Sequence, residues 1–347
     1  MSCRYLKIED FCSTGSGGTP SRSKPEYYEG GDIPWIKSGD LKDSKIYEAN
    51  EYITAAGLEN SSAKIVEKDS ILIAMYGATV GRLAILGINA ATNQAICNIR
   101  PDTTIADMKY LYYFLKSKFS YFVENAVGGA QPNISQGLIK SLEVPLPSLD
   151  EQKRIADILD KAAGVCQKRE QAIKLADDFL RAKFLEMFGT PANNIHRFPK
   201  GTIRDLVDSV NYGTSAKASI DSGEYPILRM GNITYQGRWD FTDLKYLDLS
   251  VKEKDKYLVK EGDLLFNRTN SKELVGKTAV YEEDRPMAFA GYLIRVRPNS
   301  IGNNYYISGY LNSIHGKITL MNMCKSIVGM ANINAQELQN IEILIPP

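Results

Sequence analysis

The chain has 347 residues with 42 basic and 41 acidic side chains, a formal net charge of +1, which argues against a free-standing DNA binder that depends on many unopposed phosphate contacts. Its 44% apolar composition supports globular order with room for two cores. There is no run of eighteen apolar residues, and Met1-Ser-Cys-Arg-Tyr-Leu-Lys lacks a signal-peptide core, so a cytoplasmic protein without a membrane span is expected. Five scattered cysteines (Cys3, Cys12, Cys97, Cys166, Cys324) show no paired spacing and read as reduced thiols, with neither disulfide nor structural zinc expected.

Along the chain, Gly15-Ser-Gly-Gly-Thr-Pro-Ser-Arg22 resembles a phosphate cradle only superficially, because no Gly-Lys-Ser/Thr follows it. Ser70 to Met75 and Leu83 to Ile88 read as strands broken by Gly, Asn and Pro turns. Pro101-Asp102 with Asp107-Met-Lys109 mimics a nuclease carboxylate and lysine set. The spacing is too short for two strands, and Lys109 falls in a helix predicted over Ala106 to Phe119. Ser148-Leu-Asp-Glu151, directly after Pro145-Leu-Pro147, is a capping box, and Gly189-Thr-Pro191 is a stop. Between them Ile155, Ile158, Leu159, Ala162, Val165, Cys166, Ala172, Ile173, Ala176, Phe179, Leu180 and Phe184 recur at spacings of three and four. That stripe predicts a helix of roughly 60 Å whose seam, marked by Ile158, Val165, Ile173 and Leu180, packs on another helix.

Beyond the helix the chain repeats itself. Gly31-Asp-Ile-Pro-Trp-Ile-Lys-Ser-Gly-Asp-Leu41 returns as Gly223-Glu-Tyr-Pro-Ile-Leu-Arg-Met-Gly-Asn-Ile233. Val66-Glu-Lys-Asp-Ser-Ile-Leu-Ile73 is answered by Val259-Lys-Glu-Gly-Asp-Leu-Leu-Phe266, and Val80-Gly-Arg-Leu-Ala-Ile85 by Val275-Gly-Lys-Thr-Ala-Val280. Asn133-Ile-Ser135 is answered by Asn332-Ile-Asn334. Collinear blocks at offsets drifting only from 192 to 199 mark a duplicated domain, not a solenoid unit. We therefore expect an α+β protein: two similar mixed α/β domains, 1–147 and 190–347, joined by a long helix over 148–189. A second helix, in the place of Tyr305 to His315, is expected late in the second domain. The repeat stops at Pro347, where a second long helix would begin by analogy, and a missing distal helix is the expectation.

Chemistry is sparse. His196 and His315 lie near no serine or cysteine signature, and no glycine-rich cofactor fingerprint occurs, so no catalytic residue, metal or cofactor is expected. Gly17-Gly-Thr-Pro-Ser21, Gly31-Asp-Ile-Pro-Trp35, Gly77-Ala-Thr-Val-Gly-Arg82 and Gln131-Pro-Asn-Ile-Ser135, followed by Val144-Pro-Leu-Pro147 into Glu151-Gln-Lys-Arg-Ile155, resemble the specificity subunit of a Type I restriction-modification enzyme. The resemblance implies two target-recognition domains that read a split double-stranded DNA site in the major groove. It also implies an antiparallel helix pair acting as a ruler, and methyltransferase and restriction subunits that carry the catalysis. The second copy departs from it, with Asn270-Ser-Lys-Glu-Leu-Val-Gly276 in place of Gly77-Ala-Thr-Val-Gly81.

Candidate readers are polar or basic loop positions that differ between the copies: Arg22, Lys37, Tyr76, Thr79 and Arg82 in the first domain, and Lys217, Arg229, Arg238, Asn267, Arg268, Asn270 and Lys272 in the second. Arg and Lys address guanine, and Asn addresses adenine. Trp35 and Trp239 read as packing residues. The competing reading is a protein-interaction scaffold with two similar binding domains and a helical docking surface. Salt-sensitive, sequence-dependent DNA binding separates the two.

Overall fold

The computed structural model describes residues 4–327 and 330–347; Cys3 lies outside them. Two compact units, Met1–Lys168 and Arg169–Pro347, divide the chain. In each, the first strand pairs antiparallel with the last, Arg4–Lys7 with Glu143–Leu146 in the first and Lys200–Thr202 with Glu342–Leu344 in the second.

In the first unit a five-stranded sheet runs in the order Cys12–Ser16, Ile96–Pro101, Ile71–Ala74, Leu83–Leu86, Lys45–Ile46. A four-stranded sheet takes Glu51–Ile53, Ile33–Ile36, Ala90–Thr92 and Ile65–Val66. Every residue of Ile71–Ala74 is buried, which explains why this stretch reads as a continuous apolar run without alternation. The helix Met108–Ser117 is capped by Asp107, whose Oδ1 accepts the Tyr110 N–H at 3.0 Å. It buries Leu111 and Leu115 in the main core beside Phe122 of the following helix, Phe119–Glu124. That second helix was not foreseen.

The second unit repeats this plan. Val207–Tyr212, Leu293–Pro298, Leu264–Asn267 and Thr278–Val280 form one sheet, and Lys245–Leu247, Tyr225–Leu228 and Ala288–Phe289 another. The parallel pairing of Trp35 with Ala91 and Ile36 with Thr92 recurs as Ile227 with Ala288 and Leu228 with Phe289. The predicted helix is Asn304–Asn312, capped by Asn303 and followed by a further helix, Ile314–Met323.

The connecting helix spans Leu149–Phe188. Ser148 Oγ accepts the Glu151 N–H at 3.4 Å, and Gly189, at φ +70°, ends the helix by donating to Leu185 O at 2.8 Å. Within the first unit its opening turns are fixed by buried Gln152. The Gln152 Nε2 donates to Ile105 O (3.1 Å) and Pro147 O (3.0 Å), while Oε1 accepts from Asp107 N (2.9 Å). Within the second unit Phe184 and Phe188 pack on the Tyr306 ring, with centroids 5.6 and 5.0 Å away.

The glycine-rich segment near the N-terminus has a packing role. A Cβ on Gly17 would stand 1.9 Å from Thr92 O, the Gly18 N–H donates to that same oxygen at 2.9 Å, and Trp35 Nε1 donates to Gly18 O at 3.1 Å. Gly213 is equally confined, with a Cβ 2.3 Å from Ala290 O. We predict that Gly17→Ala destabilises the protein by about 1–3 kcal/mol, the usual cost of overpacking. The urea midpoint of the variant measures it, and an unchanged midpoint would contradict the packing argument.

Candidate nucleic-acid interface

Nine of the twelve interface candidates sit at two kinds of position. The first is a short turn after the strand that holds Pro34 or Pro226. In the first domain Ser38–Asp40 forms a 3-10 turn closed by the Lys37 N–H donating to Asp40 Oδ2 at 2.8 Å. In the second, Met230–Asn232 is closed by the Arg229 N–H donating to Asn232 Oδ1 at 2.8 Å. The Lys37 ammonium binds Glu51, and Arg229 Nη2 binds Asp243 Oδ2 at 2.7 Å. In both domains the acid lies 14 residues beyond the base. Glu51 serves a second cation, since Arg22 Nη2 reaches its other oxygen at 2.6 Å while the guanidinium covers the Tyr28 ring at 4.4 Å. Hydrogen bonds from Lys37 and then Arg22 hold the Glu51 carboxyl below the usual carboxylate range. Arg238 is likewise matched, to Asp177 at 2.5 Å. Four candidate readers are thus matched by acids, Arg22, Lys37 and Arg229 within their own domains and Arg238 by Asp177 of the long helix.

The second kind is a loop at the end of a buried strand. Hydrogen bonds set its equivalence in the two domains: Ala74 N to Arg82 O (2.9 Å) and Gly81 N to Ala74 O (2.9 Å) correspond to Asn267 N to Lys277 O (2.8 Å) and Gly276 N to Asn267 O (2.8 Å). Gly81 and Gly276 share a positive φ, +80° and +77°, which a side chain would strain. Between these fixed ends the loops diverge. The first presents exposed Tyr76, with Thr79 Oγ1 donating to Tyr76 O at 3.1 Å, and its end residue Arg82 is exposed as well. The second is two residues longer and presents exposed Lys272, with Asn270 Oδ1 accepting from Ser271 N at 2.9 Å. Arg268 lies half-buried over the Tyr212 ring at 4.8 Å. Asn267 stands where the first domain has Ala74 and is fully buried, its amide N and O both unpaired. It ends the all-buried strand Leu264–Asn267, so its side chain is not exposed as that of a loop residue would be. Lys217 is exposed on a separate segment.

Sequence reasoning missed Lys277. It matches Arg82 in the repeat but turns inward, donating to Met230 O at 2.9 Å and to Ile233 O. Burial lowers its pKa. The nuclease-like set is dispersed: Asp102 accepts from Thr104 at 2.7 Å, and Lys109 binds Asp160 of the long helix. Among the described residues, no three His, Cys, Asp or Glu are grouped to hold a metal ion, and no helix is long and apolar enough to cross a membrane. Along the long helix Ile158, Val165, Ile173 and Leu180 are each at least half exposed.

The Type I restriction modification DNA specificity domain matches residues 4–175 and 198–347. The specificity subunit of the Type I restriction enzyme EcoR124I/EcoR124II of Escherichia coli is 33% identical over 150 residues, covering 42% of this chain and 37% of its own length. The EcoKI specificity subunit of Escherichia coli (strain K12) is 24% identical over 339 residues, covering 91% of this chain and 72% of its own. The match to the former thus spans well under half of that relative. The crystal structure of an S subunit of a Type I restriction-modification system from M. genitalium shares the fold, with a TM-score of 0.56 at 15% identity over 99% of this chain and 84% of that one.

The shared Glu51 carboxylate makes an acid-sensitive brace. Its folded pKa is depressed, so its contribution is complete above the unfolded value of about 4.3 and lost as pH falls through the lower folded value. We predict that Glu51→Gln weakens the fold by about 1 kcal/mol or less at neutral pH, and that the difference from wild type closes toward about pH 3. Urea titrations at both pH values check it; a difference that does not shrink with acid contradicts the assignment.

Proposed function

Because the chain belongs to the family of Type I restriction modification DNA specificity domains, we propose that it is the recognition subunit of a Type I restriction-modification complex. It reads a split double-stranded DNA site, one half per domain, and directs methyltransferase and restriction subunits that carry the catalysis. The observation that carries this reading is the pairing of like scaffolds with unlike loops. The two domains keep the same strands, turn and acid–base pair, while residues 75–81 and 268–276 differ in length and chemistry.

Tyr76, Thr79, Arg82, Arg268, Asn270 and Lys272 are the reading residues on this account, with Lys217 as a further contact. Arg22, Lys37, Arg229 and Arg238 are matched by acids, which suits positioning more than base readout. A near-neutral chain then depends on its partners for much of the phosphate attraction. The exposed seam of the long helix offers those partners a helical docking surface.

The chain alone is expected to transfer no methyl group to DNA. Together with the methyltransferase subunit of its own system it is expected to direct methylation to one bipartite motif, and changing Ile158, Val165, Ile173 and Leu180 to Gln is expected to abolish that cooperation. Methyl-transfer assays with and without the partner, followed by methylation mapping, test it. Robust transfer by the isolated chain, or methylation without a motif, contradicts the reading.

A further inference from the structure

Gly39 and Gly231 occupy the middle of the turns Ser38–Asp40 and Met230–Asn232. The fold does not require glycine at either place. Neither is among the positive-φ residues, and a Cβ built on either meets nothing within 4 Å. Both are exposed. Alanine at such positions restricts the unfolded chain and raises stability, so each glycine slightly weakens the fold. Yet both copies keep it, although Ile36, Lys37, Ser38 and Asp40 have become Leu228, Arg229, Met230 and Asn232 around it. A bare, exposed backbone that nothing inside the protein demands is suited to the close approach of a body from outside.

The same feature in both copies fits a ligand that is the same at both. The bases of a split site differ between halves; the sugar-phosphate backbone does not. Position favours the backbone as well. In the second domain Lys277, at the exit of the divergent loop, donates to Met230 O at 2.9 Å, beside Gly231. In the first, Asp43 N donates to Leu83 O at 2.9 Å and Asp43 Oδ1 accepts from Leu83 N at 3.1 Å, fastening the segment after Gly39 to the exit of the other loop. Each bare turn is therefore tied to the element that differs, as a positioning contact beside a reading contact. We propose that Gly39 and Gly231 mark two equivalent seats for the sugar-phosphate backbone of double-stranded DNA, one per domain, which set the register in which residues 75–81 and 268–276 meet the bases. This rests on the recognition function proposed above.

The test uses the full chain assembled with its methyltransferase subunit, and two duplexes, the mapped target and a scrambled one, at one salt concentration. Gly39→Ala, Gly39→Val, Gly231→Ala and Gly231→Val should hold or raise the unfolding midpoint. They should weaken binding to both duplexes together, by roughly tenfold for valine and less for alanine, and leave the methylated motif unchanged. Wild-type affinity in both valine variants overturns the inference. So does a change in one half of the motif, which would make the turns base readers, or failure to assemble with the methyltransferase in the absence of DNA, which would make them a protein contact. A wild-type complex that does not prefer its target contradicts the recognition function itself, and this is seen before any variant is compared.

Discussion

Each domain depends on the antiparallel pairing of its first strand with its last. Arg4–Lys7 meets Glu143–Leu146 and Lys200–Thr202 meets Glu342–Leu344, contacts that join residues far apart in the chain and bring the ends of each domain together. Because the first domain closes at Leu146, the long helix starts at Leu149, and buried Gln152 bonds it to the Pro147 carbonyl just before it and to Ile105 and Asp107 ahead of the Met108–Ser117 helix. A domain closed in this way is self-contained, which is the physical condition for a copy to be duplicated without disturbing its partner.

What the copies share is geometric. The positive-φ glycines Gly81 and Gly276, the turns closed by Asp40 and Asn232, and the pairs Lys37–Glu51 and Arg229–Asp243 all fix backbone. What differs lies between those fixed points, where extra residues and a changed charge cost little, since loop length is a weak thermodynamic variable. The loops are thus free to vary while the core does not.

The repeat, the strands and the long helix were legible because apolar periodicity, Gly and Pro turns and a capping box are local signals. The strands Ile71–Ala74 and Leu83–Leu86 fall inside the expected runs. The helices Phe119–Glu124 and Ile314–Met323 were not legible, as they follow the preceding helix after a single residue, Lys118 or Ser313. Nor was the matching of Lys37 by Glu51, which depends on strand pairing that places Glu51 opposite Trp35. Asn267 read as a loop residue because it is polar; only the strand register shows it in the buried place of Ala74. Lys277 was overlooked because its equivalent, Arg82, is exposed, and the sequence does not distinguish an inward from an outward cation.

The most direct measurement is an exchange of loops. Residues 268–276 are replaced by residues 75–81, keeping Asn267 and Lys277 as the fixed ends, and the methylated motif is mapped with the methyltransferase present. If like scaffolds carry independent readers, the exchanged protein folds and one half of the motif changes while the other persists. An unchanged motif, or a change in both halves, would contradict the account.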